Sequence, residues 1–237
     1  MAGHSKWNNI KRTKGKTDAA RAKVFTKIGR EIAVAVKLGG QDLNANSRLR
    51  DAVAKAKAAN MPTDNITRGI KKASGELGSI NYEPIIYEGY GVDGIAVIVE
   101  TLTDNKNRTA AEVRHIFDKY GAGLGTTGCV SYLFDHKGII VLDKNQKIDD
   151  DTAFSDALES GAEDFVASEE NYEIITTIEN YTGAKDFLEG KGYIIRESSL
   201  AYIPKAYVPL VTPEKFNKML DFFDEDEDIQ NIYHNAE

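Results

Sequence analysis

Between Thr17 and Gly40 the apolar positions Val24, Phe25, Ile28, Ile32, Ala35 and Val36 recur at the three- and four-residue spacing of one helix face, and Gly39-Gly40 supplies the stop. A second helical pattern starts at Asn46 or Ser47, either a good N-cap, and places Leu49, Ala52, Val53, Ala56 and Ala59 inward. A third, short helix follows Met61-Pro62-Thr63, with Thr63 as its cap and Gly75 as its end. Together these predict a compact three-helix bundle around a small, alanine-rich core. Glu76–Pro84 reads as a linker, and beyond it the period changes. Ile85–Gly91 and Gly94–Thr101 read as strands, and Thr109-Ala-Ala-Glu112 has capping-box spacing for a helix on Val113, Ile116, Phe117 and Tyr120. Gly121 ends that helix, and Cys129–Phe134 reads as the next strand.

From Gly138 the order is strand (Ile139–Leu142), helix (Thr152–Ser160), hairpin (Asp164–Ala167 with Tyr172–Ile178), helix (over Lys185–Gly190) and strand (Tyr193–Ile203). That is a complete β-α-β-β-α-β ferredoxin-like unit. After Pro204 and Pro209, Thr212 caps a helix with Pro213 at its first position, and Ile229–His234 reads as a last strand. The middle segment lacks one helix–strand pair and the C-terminus has one spare. The expected fold class is therefore multidomain α and α+β: an N-terminal three-helix bundle plus two ferredoxin-like α+β domains. The expected layout is a flexible basic arm over 1–17, a helical basic domain over 18–78, a discontinuous α+β domain over 79–136 plus 208–237, and an inserted ferredoxin-like domain over 137–207. Three consecutive domains are the competing layout.

Charge changes this picture most. The chain's formal −7 hides an asymmetry: Met1–Gly75 holds 17 Lys and Arg against five acids, and the rest holds 13 against 32. A cationic module on an acidic body points to a polyanion, because neutralising phosphates releases condensed counterions. Nucleic acid is the natural partner; a membrane surface is the rival, but no apolar run approaches a bilayer span. The arm offers His4, Lys6, Trp7, Lys11, Arg12, Lys14 and Lys16, with Trp7 able to stack on a base. The bundle offers Arg21, Lys23, Lys27 and Arg30, then Arg48, Arg50, Lys55 and Lys57, then Arg68, Lys71 and Lys72. In the body, Lys106, Arg108, Arg114 and Lys119 form the one dense basic patch and either extend the contact surface or pair with neighbouring acids.

Other chemistry is thin. Gly123-Leu-Gly-Thr-Thr-Gly128 matches G-x-G-x-x-G, but a helix precedes it and a strand follows, the reverse of a dinucleotide site. Its Gly123, Gly125, Thr126, Thr127 and Gly128 either approach a nucleic-acid backbone or form a structural turn. His4, His115, His136 and His234 lack metal-ligand spacing, and Cys129 stands alone. The acidic run Asp221–Asp228 reads as a solvated face rather than a metal site. No catalytic constellation, cofactor or metal site is expected. The single cysteine and the absence of a secretory pattern suggest a reducing, cytoplasmic setting.

Several segments together resemble the YebC/PmpR family, which includes the mitochondrial translational activator of cytochrome oxidase subunit one. They are Ala2-Gly-His-Ser-Lys-Trp7, Ala22-Lys-Val-Phe-Thr-Lys27, Lys37-Leu-Gly-Gly40, Tyr87-Glu-Gly-Tyr-Gly91, Asp104-Asn-Lys-Asn-Arg-Thr109, Glu112-Val-Arg-His115, Leu124-Gly-Thr-Thr-Gly128 and the terminal Ile-Tyr-His-Asn235. The resemblance covers almost the whole chain, with Lys106 standing where an Arg would also be familiar. It implies one helical and two α+β domains, no enzyme activity, and cytoplasmic regulation of gene expression. Family members are conventionally labelled DNA-binding transcriptional regulators. Members are also linked to translating ribosomes, where they relieve stalling at proline-rich stretches; that would bring the arm, the basic helices and the Gly-Thr loop to tRNA and ribosomal RNA.

Overall fold

The computed structural model describes residues 18–75, 80–144 and 148–237. Among them are seven α-helices and two four-stranded antiparallel sheets. The chain divides into two compact units, one containing Phe134–Lys205 and the other Lys14–Leu133 with Ala206–Glu237.

In the second of these units, α1 (Asp18–Gly39), α2 (Ser47–Ala58) and α3 (Thr63–Ser74) pack around Ile28, Ile32, Ala35, Leu49, Ala52, Val53, Ala56 and Ile66. The buried Asn46 fixes the α1–α2 corner. Its Oδ1 caps α2 by accepting from the Leu49 N–H, and its amide donates to the carbonyls of Ala35 and Gly40. Two details differ from the pattern-based expectation. Thr63 is the first residue inside α3 and the cap position falls to Pro62, which offers no side-chain acceptor. Val24 is 43% exposed, because the bundle core begins at the level of Phe25 and Ile28.

The same unit carries a sheet in the order β3-β1-β2-β8, from β1 (Glu83–Tyr90), β2 (Ala96–Thr103), β3 (Gly123–Leu124) and β8 (Ile229–His234). Helices α4 (Lys106–Tyr120) and α7 (Pro213–Glu225) cover one face, burying Val97, Val99, Val113, Phe117, Phe216, Met219 and Phe223. Phe117 and Phe223 meet edge to face at 5.2 Å. Strand β8 pairs with β2, so the C-terminal segment completes a sheet begun more than 100 residues earlier.

Three local features differ from the pattern along the chain. Helix α4 begins at Lys106 with Asn105 as its cap, so Thr109 lies inside the helix, fully buried, and does not open a capping box. Residues 129–133 do not form a strand: a turn and a 3₁₀ segment, Ser131–Leu133, lead into one long strand, β4 (Phe134–Asp143), and the short β3 lies within the glycine run. The cause is Glu88, which captures the backbone N–H groups that a ladder would need (below). Thr212 does precede α7, but its hydroxyl donates to Asp93 instead of capping the helix.

The Phe134–Lys205 unit runs β4, α5 (Asp150–Glu159), β5 (Asp164–Ala167), β6 (Asn171–Thr176), α6 (Ile178–Gly190) and β7 (Ile195–Pro204), with sheet order β5-β6-β4-β7. The β-α-β-β-α-β sequence and this order are those of a split βαβ unit. Its helices seal Ile140, Leu142, Tyr172, Ile174, Ala184 and Leu188. No described helix in either unit is long and apolar enough to cross a membrane.

Candidate nucleic-acid interface

The structure separates the basic residues of the bundle by what each already touches. Arg48, Lys57, Lys71 and Lys72 are exposed and have no acidic partner among the described residues. Arg68 is exposed and, among the described residues, bonds only to the neutral Asn65, one turn back. Arg21 and Arg50 are also exposed, Arg50 reaching the Leu43 carbonyl at 3.4 Å. Lys55 is paired with Glu31 at 2.6 Å. On α1, Lys23 is half-buried and Lys27 donates to the Asp224 carbonyl at 3.3 Å. Among the described residues, the exposed cations without an acidic partner are therefore concentrated on α2 and α3, with Lys37 on α1.

Arg30 and Arg108 have a different occupation. Both guanidinium groups bond to the carboxylate of Asp228, which is 2% exposed. The hydroxyls of Thr103 and Thr109 approach the same Oδ2 at 3.1 and 2.6 Å. Arg30 also donates to the Leu102 carbonyl at 2.9 Å, and Arg108 to Asp104 at 2.8 Å. Burial alone would raise the Asp228 carboxyl; the bonds from Thr109, Arg30 and Arg108 outweigh it and hold the pKa at about 2. The network ties α1, α4 and the β2 end to the segment before β8. The acidic run is thus not a uniformly solvated face, since its last member is the buried centre of an ion-pair network. Glu112 and Asp226 each place one oxygen within 4.8 Å of Asp228, but the Asp228 oxygens are already committed to two guanidinium groups. Burial and the neighbouring Asp226 push the Glu112 carboxyl up.

The rest of the body's basic patch is mixed. Lys106 is paired with Glu83 at 2.5 Å, and Lys119 lies over the rings of Tyr120 and Phe222. Arg114 is exposed.

The Gly-Thr loop is held from beneath by Glu88. Its buried carboxylate accepts the N–H groups of Gly128, Val130 and Ser131 at 2.8, 2.9 and 2.8 Å, and its carbonyl accepts from Gly125. Burial would raise the Glu88 carboxyl, but these three donors hold it below the usual range. Gly128 has φ +88°, which favours glycine, and a Cβ on Gly125 would collide with the Cys129 sulfur. The loop is therefore a rigid turn that presents Gly125, Thr126, Thr127 and Gly128 at the surface. Glu88→Gln is expected to leave one of these N–H groups facing an amide donor. Amide exchange at Gly128, Val130 and Ser131 should accelerate about 10- to 100-fold, the equivalent of ~1–3 kcal/mol, while the α4–α7 core amides keep their protection. Unchanged exchange at all three would show that the carboxylate does not hold the loop.

Helices α1 and α3 and residues 80–82 line a cavity of about 240 Å³ containing Arg30, Lys37, Lys72 and Tyr82. His4, Lys6, Trp7, Lys11, Arg12, Lys14 and Lys16 lie outside the described residues.

A family model described as the TACO1/YebC protein N-terminal domain matches residues 5–76, and one described as the TACO1/YebC second and third domain matches residues 82–236. The chain belongs to the TACO1/YebC family. A probable transcriptional regulatory protein of Acetivibrio thermocellus is 54% identical to it over 99% of this chain and 98% of that one. Another so named, from Clostridium beijerinckii, is 55% identical over 100% of this chain and 97% of that one. A conserved hypothetical protein of Aquifex aeolicus, known by its crystal structure, superposes with a TM-score of 0.83 at 43% identity, covering 98% of this chain and 97% of that one.

In this TACO1/YebC chain, two of the segments that carried the resemblance build scaffold. Tyr87-Glu-Gly-Tyr-Gly91 supplies Glu88, and Asp104-Asn-Lys-Asn-Arg-Thr109 supplies the α4 cap and two of the groups on Asp228. Sequence reasoning missed Asp228 and Glu88 as organising carboxylates. The available signal was weak: Glu88 sits inside a strand and Asp228 closes an acidic run just before one, and burial at either place forces a partner.

Proposed function

We propose that the protein is a non-enzymatic, nucleic-acid-binding regulator of gene expression. The observation that carries this reading is the set of uncompensated cations on α2 and α3, Arg48, Lys57, Lys71 and Lys72, with Arg68 beside a neutral partner. Their density suits a phosphate backbone, and fixed helical spacing limits the ordering cost on binding. The Phe134–Lys205 unit carries 16 acids against seven bases and is the wrong sign for the same partner. The relatives described as probable transcriptional regulatory proteins favour transcription as the setting.

A second reading places the same surface on RNA at the translating ribosome. It is supported by the cavity beside Tyr82, which a fully stacked duplex has nothing to insert into. The deciding test is sedimentation of the native protein in lysate, with and without RNase and at two salt concentrations. Ribosome co-migration that RNase abolishes supports translation. Recovery on chromosomal DNA instead supports transcription, and recovery with neither overturns nucleic-acid binding.

A further inference from the structure

Among the described residues, Gly29 and Gly69 are helix-interior glycines whose structural purpose is missing. Glycine weakens a helix interior and is usually kept there for a left-handed backbone or a close contact. Neither applies. A Cβ on Gly29 would meet nothing within 4 Å, and one on Gly69 would only touch the Ile32 methyl at 4.0 Å; neither residue has positive φ. What they share is a wall of the cavity between α1, α3 and residues 80–82. Their missing side chains keep it open.

The remaining lining has a definite chemistry. Tyr82 provides an aromatic surface, with the Arg30 guanidinium 5.2 Å from its ring centroid. Asp228 pins that guanidinium, so this wall is rigid. The Arg30 Nε–H is buried and finds no acceptor among the described residues. Lys37 and Lys72, both exposed, flank the cavity; among the described residues Lys37 bonds to the neutral Asn81, at 2.6 Å, and neither ammonium has an acidic partner. The volume, about 240 Å³, falls below the usual range for drug-sized ligands, roughly 300–1,000 Å³, and suits a single planar heterocycle.

The geometry points to a pocket for one unpaired RNA base, seated beside Tyr82 with its flanking phosphates on Lys37 and Lys72. This rests on the RNA reading of the α2–α3 surface and makes it more specific: the ligand is RNA with an extruded nucleotide, not a continuous duplex. An unstacked base can exploit an aromatic wall and flanking ammonium groups, whereas a base inside a helix is already stacked and paired.

The test uses the full chain with two fluorescein-labelled RNAs of equal length, one single-stranded and one fully paired, and the variants Gly69→Leu and Gly69→Ala. Leucine reaches into the cavity, and either residue is a better helix former than glycine, so the melting temperature should hold or rise. Affinity for the single strand is expected to fall about tenfold or more in Gly69→Leu and less in Gly69→Ala, with the paired RNA changing by less than about twofold. Should Gly69→Leu melt early, wild-type protein titrated with adenosine and uridine monophosphates gives the answer: amide shifts at Gly29, Gly69 and Tyr82 support the pocket, and their absence overturns it. Equal single-strand affinity in a well-folded Gly69→Leu overturns the pocket and leaves the RNA reading standing. A wild-type protein that binds neither RNA but binds duplex DNA overturns both.

Discussion

Asp228→Ala is expected to lower the stability of the unit formed by residues 14–133 and 206–237 by about 3–5 kcal/mol, the cost of breaking a buried ion pair from one side. The substitution removes the acceptor shared by Arg30, Arg108, Thr103 and Thr109 and leaves the Arg30 side chain, 11% exposed, without its counter-charge. Chemical denaturation monitored at this unit measures the loss. Acid gives an independent check with a definite sign. The folded pKa is about 2, below the ordinary value of about 3.9, so the unfolded chain takes up this proton first. The ionised carboxylate then contributes ~2.5 kcal/mol that is fully present above about pH 5 and disappears as pH falls through 3.9 toward 2. Asp228→Asn should flatten that acid limb. An Asn variant with the wild-type acid profile and a stability loss below ~1 kcal/mol would remove Asp228 from the centre of this network.

The second large effect concerns binding. Replacing Arg48, Lys57, Lys71 and Lys72 together by alanine should weaken nucleic-acid affinity about 100-fold at moderate salt. The slope of log affinity against log salt should flatten by about three to four units, close to one for each phosphate no longer neutralised. Lys55→Ala serves as the internal comparison, because its ammonium is already paired with Glu31 and should change the slope by much less. Arg30→Ala would be a poor test of the same idea, since its loss strikes the Asp228 network first. A quadruple variant whose slope matches wild type would mean that α2 and α3 do not face the polyanion.

By sequence alone, Arg30 and Arg108 are indistinguishable from Arg48: each is a cation on an amphipathic helix. Their roles part only because Asp228, 198 residues from Arg30 and 120 from Arg108, is carried between them by the strand pairing of β8 with β2. The Asn105 cap sets Thr109 inside α4, and the β8–β2 pairing brings Asp228 to its hydroxyl, so an apparent capping box is a core contact. The supposed strand over 129–133 fails for a related reason. Glu88 lies about 40 residues upstream, and no local propensity announces that its carboxylate will take three N–H groups of that stretch.

What the chain's own order of residues determined is the material that depends on near neighbours. Helical periodicity in 24–36 and 49–59, Gly40 and Gly75 as stops, Asn46 as a cap, and the strand-helix alternation beyond Gly138 are all governed by spacing within a few residues. The basic-to-acidic asymmetry is likewise a property of composition and requires no fold. What only the tertiary structure decided is which of those charges remain available. A lysine or arginine keeps its long-range field only if no carboxylate reaches it, and the partners here come from segments up to about 200 residues away. The cavity beside Tyr82 belongs to the same class, because the absence of two side chains becomes an opening only when α1, α3 and residues 80–82 are brought around it.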